Sequence, residues 1–166
     1  MRIVVSIIIL LIIAFLTVIF LGAVLSSDFE KTERQSFSIP VKTAWDFISQ
    51  VDNYPQFREE YYSVQIIDKR KGFPFRWQAF MTDGKLAVYQ INNYVPQKHL
   101  SYQLIRSNNE MTGNWDFYFF GDSTNCTIEI TETSRMGNPI EKVYWYFTDR
   151  GKRIDREFEL IEGLEK

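Results

Sequence analysis

The chain has 166 residues and a formal net charge of −2, with 45% hydrophobic and 16% aromatic residues, which suggests one globular domain with attachments. No basic stripe is present, and this argues against nucleic-acid binding, which requires cations that displace counterions from phosphates. One cysteine, Cys126, and one histidine, His99, exclude an intrachain disulfide and are too few for a structural zinc site, so we predict no metal or other cofactor.

An uncharged apolar run opens the chain, from Ile3 to Leu25. At about 1.5 Å per residue, a helix of this length spans the roughly 30 Å hydrocarbon core of a bilayer. A cleaved signal peptide is the alternative, but its apolar region usually has only about 7 to 15 residues. We therefore predict a single-pass transmembrane anchor over residues 1–26 and a short polar linker over 27–33. The few flanking Lys and Arg residues leave open which side of the membrane the domain faces.

A strand, two short helices and six further strands are predicted next. The first strand covers 34–40 and ends at Pro40, and the helix over 41–51 carries apolar residues at helical spacing. A turn at 52–57 opens a second short helix. The six strand-like runs cover 61–68, 75–82, 85–95, 99–107, 113–120 and 126–135. Turn residues such as Asp83-Gly84 separate them, which is typical of an antiparallel meander.

The last 28 residues, from Pro139, show a helical pattern. One apolar stripe is formed by Ile140, Val143, Phe147, Ile154, Phe158 and Ile161. Gly151 lies inside this pattern, where a glycine kinks a helix or divides it in two. We expect this terminal helix to cover the apolar face of the sheet, because no other element is long enough to do so.

Two stretches resemble a known superfamily. The run "SIPVKTAWDFISQVDNYPQF" is similar to the opening of START/Bet v-type (SRPBCC, polyketide cyclase/dehydrase-like) domains, and "VDNYPQF" resembles the subgroup that includes coenzyme Q-binding proteins. "TGNWDFYFF" followed by "CTIEITET" resembles the paired late strands of the superfamily. The resemblance covers 34 to about 163. It implies an α+β helix-grip fold, with a seven-stranded curved antiparallel sheet wrapped around a long C-terminal helix, here preceded by one transmembrane helix. Residues 34–166 would then form a START-like ligand-binding domain.

Large apolar side chains alternate along the later strands and face inward in such a fold. The predicted cavity lining consists of Trp77, Tyr89, Tyr102, Leu104, Trp115, Phe117, Phe119, Ile128 and Ile130. These side chains either fill a core or line a cavity that a ligand occupies, and the sequence leaves both open. Tyr89, Tyr102, Gln90 and Arg106 are the candidate polar groups for orienting a ligand.

Three functions remain open at this stage. The first is a membrane-anchored domain that binds a lipid, quinone or similar hydrophobic small molecule. The second is a cofactor-free cyclase, dehydratase or hydrolase that uses the same cavity, although no inward-facing Asp, Glu or His is predicted and no catalytic residue is assigned. The third is a protein-interaction domain with a vestigial pocket, in which exposed aromatics such as Tyr144 and Trp145 contact a partner.

Overall fold

A computed structural model of the protein describes residues 2–108, 111–148 and 151–165. Its helices are α1 (Arg2–Val24), α2 (Val41–Ser49), α3 (Pro139–Thr148) and α4 (Lys152–Glu162), with 3₁₀ helices at Val51–Gln56 and Gly163–Glu165. Its strands are β1 (Asp28–Phe37), β2 (Tyr61–Arg70), β3 (Phe73–Met81), β4 (Leu86–Val95), β5 (His99–Ser107), β6 (Met111–Gly121) and β7 (Cys126–Met136). This element order is the one predicted, and β2 to β7 lie within two residues of their predicted bounds.

In the described part of the chain the strands form a seven-stranded, curved antiparallel sheet in the order β1-β7-β6-β5-β4-β3-β2. Every neighbouring pair of strands except β1–β7 is also consecutive in the chain, as expected for the predicted meander. The tightest hairpin has Lys71 and Gly72 at φ 52° and 82°, the two positive values that match the twist of the flanking strands. The helix-grip fold expected from the resemblance is confirmed.

The interior lies between the concave face of the sheet and the helices α2 and α4. Helix α2 buries Val41, Ala44, Trp45 and Ile48, the residues predicted from helical spacing. Helix α4 buries Ile154, Phe158 and Ile161 in the same cluster. The apolar residues that recur about every 3.6 positions in these helices and every second position in the strands therefore form one hydrophobic core.

Helix α1 joins the sheet almost directly. Strand β1 begins at Asp28, six residues earlier than predicted, and its first residue pairs with Arg135 of β7. The residues expected to form a polar linker are thus mostly strand, because β7 is long enough to pair along their whole length. The Met136 N–H also donates to the Ser27 carbonyl at 3.0 Å. Helix α1 is long and apolar enough to cross a bilayer, a property that signal sequences share.

The C-terminal helical region is divided, and two expectations about its side chains are wrong. Gly151, at φ 79°, begins α4 in the left-handed conformation that glycine tolerates best. The second half of the predicted stripe packs under the sheet as α4. The first half does not, because α3 turns away toward α1 and leaves Ile140 and Phe147 exposed. Trp145, expected to be exposed together with Tyr144, is buried.

Candidate functional site

All nine residues of the predicted cavity lining lie in the buried interior. They come from β3 to β7 and belong to one cluster with α2 and α4: Trp77, Tyr89, Tyr102, Leu104, Trp115, Phe117, Phe119, Ile128 and Ile130. Alternation along each strand places them on the concave face, and the antiparallel register brings them side by side.

The aromatic members of this set contact one another. The Trp77 ring stacks on Tyr89 with centroids 5.3 Å apart, and Tyr102 lies 5.7 Å from Trp115 and 5.5 Å from Phe117. Trp45 of α2 covers Phe119 at 5.3 Å. The rings therefore fill much of the space that they enclose, and the more open part of the interior lies toward β2 and α4.

A buried ion pair that the sequence did not suggest lies at this open part. Arg58, at the end of the segment before β2, is 2% exposed, and Glu157 of α4 is 6% exposed. Arg58 Nη2 lies 2.7 Å from Glu157 Oε2, and its guanidinium stacks 3.7 Å over the ring of Tyr54. The pair fixes the segment before β2 against α4, in a region where an unpaired charge is costly.

A second pair of charged side chains borders the aromatic rings. Arg153 of α4 is half-buried, with its guanidinium 4.0 Å from the centroid of Trp115 and 3.4 Å from the hydroxyl of Tyr61. Glu132 of β7 is 2% exposed and accepts a hydrogen bond from Ser134 through Oε1. An arginine over the face of an indole makes a favourable cation–π contact.

Two cavities open beside these charges. The first, which we name the Arg153 cavity, has a volume of about 280 Å³. It is lined by Glu60, Tyr61, Met81, Thr82, Asp83, Met111, Glu132, Trp145, Arg153 and Arg156. The second, the Arg58 cavity, also has about 280 Å³ and shares Glu60, Arg153 and Arg156 with the first. Its other lining residues are Phe57, Arg58, Glu59, Glu157, Glu159 and Leu160.

Four buried polar atoms near the rings and charges have no hydrogen-bond partner among the described residues. They are Arg58 Nε, Trp77 Nε1, Trp115 Nε1 and Glu132 Oε2. Leaving such a group unpaired costs about 1–3 kcal/mol. Most buried polar atoms in proteins are paired with protein groups, ordered water or a ligand.

Burial also fixes the protonation states at this site. It raises the pKa of Tyr54 to about 12 and holds the pKa values of Tyr61 and Tyr102 well above their ordinary value. Burial works against the charge of Arg153, but the neighbouring tyrosines and Glu132 outweigh it and hold its pKa well above the usual range. At neutral pH the site therefore offers phenol and guanidinium donors.

The polar groups proposed from sequence are only partly inside. Tyr89 and Tyr102 are buried, whereas Arg106 is exposed and Gln90 accepts hydrogen bonds from Arg76. The described residues contain no group of three or more His, Cys, Asp or Glu side chains that could hold a metal.

Sequence reasoning missed four charged residues: Arg58, Glu132, Arg153 and Glu157. A signal existed for two of them. Glu132 continues the alternation of Ile128 and Ile130 on β7, and Glu157 lies on the apolar stripe of α4. Arg58 follows a short 3₁₀ helix, and no periodic pattern in the sequence indicates that its side chain is buried.

Comparison with known protein families identifies a family for most of the chain. The family model for "polyketide cyclase / dehydrase and lipid transport" matches residues 37–166. No curated protein sequence matches the chain.

Two solved structures illustrate the likeness in fold. A START superfamily protein from Mycobacterium smegmatis superimposes with a TM-score of 0.66 at 12% identity, covering 81% of this chain and 94% of that one. The Zhui aromatase/cyclase from a Streptomyces species gives a TM-score of 0.64 at 9% identity, covering 82% and 90% of the two chains. At these identities the likeness establishes the fold alone.

Proposed function

Because the chain belongs to the polyketide cyclase/dehydrase and lipid transport family, we propose that it is a membrane-anchored domain that binds a small hydrophobic molecule beneath α4. None of the nine predicted lining residues lines either cavity, so the ligand's apolar body would lie against Tyr61, Met81 and Trp145 of the Arg153 cavity. Its polar end would face the donors Arg153 and Tyr61, and a ligand hydroxyl group would also donate to Glu132. The apolar helix α1 would hold the domain at a bilayer, where such molecules dissolve.

The observation that carries this proposal is the set of unpartnered polar atoms beside an aromatic interior. The indole N–H groups of Trp77 and Trp115 and the Oε2 atom of Glu132 are buried without a hydrogen-bond partner among the described residues. Of these groups only Glu132 lines a cavity, and a ligand hydroxyl group there would donate to its Oε2 atom. Ligand sites commonly combine an apolar wall with a few such polar groups.

The volume of the cavities limits the size of a ligand that can be used to test binding. Each has about 280 Å³, close to the lower end of the roughly 300–1,000 Å³ range for ligand pockets. Suitable probes are 2-naphthol and 2-naphthoate, which join a two-ring apolar body to a hydroxyl or a carboxylate. Naphthalene has the same body without a polar group and serves as the control ligand.

Calorimetric titration of the full chain in lipid nanodiscs tests the proposal, with empty nanodiscs as the blank. We expect saturable 1:1 binding of 2-naphthoate, weaker binding of naphthalene and a loss of at least about tenfold in the Arg153→Met variant, the scale of one charge-assisted hydrogen bond. Lys152→Met is the matched control, because Lys152 is an exposed cation on the same helix and lines neither cavity. The proposal is overturned if neither polar probe binds saturably. It is also overturned if Arg153→Met and Lys152→Met change the affinity equally.

One specific observation favours a second candidate function, catalysis in the same cavity. Glu132 is a buried carboxylate that lines the Arg153 cavity and has one unpartnered oxygen. It could act as a general base toward water, with Tyr61 and Arg153 as donors to a developing oxyanion. Hydrolysis of 2-naphthyl acetate to 2-naphthol and acetate is a simple assay. Catalysis by Glu132 requires a rate above buffer that falls about 10²-fold in Glu132→Gln, and equal rates for the two proteins exclude this reaction.

A further inference from the structure

Helix α3 presents an apolar face that no described residue covers. Ile140, Tyr144 and Phe147 are 50%, 64% and 68% exposed and follow one another at intervals of four and three residues. This spacing places them on one side of the helix. The opposite side carries Trp145, which is 5% exposed. A continuous outer stripe of large apolar side chains marks a surface that contacts something other than water.

The position of α3 shows what covers this stripe. Helix α3 begins against the end of α1, where a Cβ atom added at Gly22 would overlap the Pro139 carbonyl. Lys142 Nζ donates to the Leu25 carbonyl at 3.4 Å. On the last turns of α1, Gly22 is buried and Val18 is half-buried, and Leu25, directly after the helix, is half-buried too. At 1.5 Å per residue, the stretch from Val18 to Gly22 covers about 6 Å of the apolar helix.

The stripe of α3 therefore lies beside the end of the apolar span of α1. This level corresponds to the boundary between hydrocarbon and head groups, where tyrosine and other amphipathic aromatic side chains are favoured. An amphipathic helix at this level lies in the plane of the interface with its apolar side toward the acyl chains.

We propose that α3 is an interfacial membrane helix and that its partner is the lipid bilayer into which α1 inserts. This inference rests on the anchoring part of the proposed function. The inner side of α3 contributes Trp145 to the Arg153 cavity, and the same cavity includes the β3–β4 turn residues Thr82 and Asp83. With α3 in the interface, this cavity lies directly behind the membrane-bound helix, which shortens the path of an apolar ligand from the lipid.

Fluorescence quenching of the full chain in phosphatidylcholine vesicles tests this inference. A single cysteine is placed at Phe147 or Tyr144 in a Cys126→Ala background, which removes the one native thiol, and is labelled with an environment-sensitive fluorophore. Both positions are more than half exposed, so the label does not disturb packing. The control position is Phe120, an aromatic residue that is 44% exposed at the opposite end of β6 from Met111.

We expect lipids with a nitroxide near the head group to quench labels at 147 and 144 at least threefold more than a label at 120. Equal quenching at the three positions in vesicle-bound protein overturns the inference but leaves the anchoring intact. Labels at 147 and 144 that are shielded from aqueous iodide yet not quenched by the lipids indicate a protein partner and also overturn it. A chain that fails to float with the vesicles overturns the anchoring and this inference together, and the naphthoate titration then reports separately on ligand binding.

Discussion

The buried ion pair between Arg58 and Glu157 tests directly whether water is excluded from the interior beneath α4. Replacing Glu157 with Gln keeps the shape of the side chain but leaves the guanidinium without its counter-charge. Both partners are nearly inaccessible and their atoms lie 2.7 Å apart. Breaking such a pair costs about 3–5 kcal/mol. For a domain of this size, this cost corresponds to a fall in Tm of about 6–20 °C.

Urea and thermal unfolding of the full chain in detergent micelles measure this loss. Tryptophan fluorescence is a suitable signal because Trp45, Trp77, Trp115 and Trp145 are all buried. A double variant, Arg58→Met with Glu157→Leu, removes both charges. We expect it to lose less stability than Glu157→Gln, because no unpaired charge remains in the interior.

An ion pair that joins the same helix to β1 provides the matched control. Lys31 Nζ lies 2.9 Å from Asp155 Oδ1, but both side chains are partly exposed. Asp155→Asn is therefore expected to cost no more than about 1 kcal/mol. Similar small losses in Glu157→Gln and Asp155→Asn would refute the reasoning, because they would mean that water reaches Arg58 and replaces its partner.

Two further predictions concern pH and the junction with α1. Because burial raises the pKa of Tyr54 to about 12, the folded state holds its phenol proton more tightly than the unfolded state. The contribution of Tyr54 to stability is therefore constant below about pH 10 and falls as the pH rises toward 12. The Tyr54 contribution to this fall is about 2 kcal/mol by pH 12, and urea unfolding of Tyr54→Phe should show a correspondingly smaller alkaline loss; an unchanged alkaline loss would contradict this assignment. Gly22→Val would force the Pro139 carbonyl away from α1 and cost about 1–3 kcal/mol in thermal unfolding, whereas Ala23→Val, at an exposed position of the same helix, should stay within about 0.5 kcal/mol. Equal losses in the two valine variants would mean that α3 does not pack closely on α1.

The inward-facing side of the sheet could be predicted because strand alternation is a local property. Trp115, Phe117 and Phe119 alternate with polar residues, and the register of β6 with its neighbours carries this pattern into the interior. The same alternation on β7 extends to Glu132 and Ser134, both buried. The sequence prediction ended at Ile130 because glutamate and serine are usually exposed. Continuing the alternation along β7 beyond Ile130 would have placed Glu132 on the inward-facing side of the sheet.

The course of the C-terminal region could not be predicted from periodicity. A helical stripe indicates which side of a helix is apolar but does not say which surface covers it. The stripe of α4 faces the sheet and that of α3 does not, because Gly151 changes the chain direction between them. Arg58 has no periodic signal at all. Its burial depends on Glu157, which is distant in sequence and meets it only in the folded chain.

A structure of the full chain with 6-bromo-2-naphthoate bound tests the central claim most directly. Bromine has a strong anomalous signal, so its position identifies the ligand without ambiguity. We predict one bromine site in the Arg153 cavity, with the naphthalene rings against Trp145 and the carboxylate within hydrogen-bond distance of Arg153. Bromine only at the outer surface of the sheet, or an interior whose rings close on one another with no bromine at saturating ligand, would contradict the account.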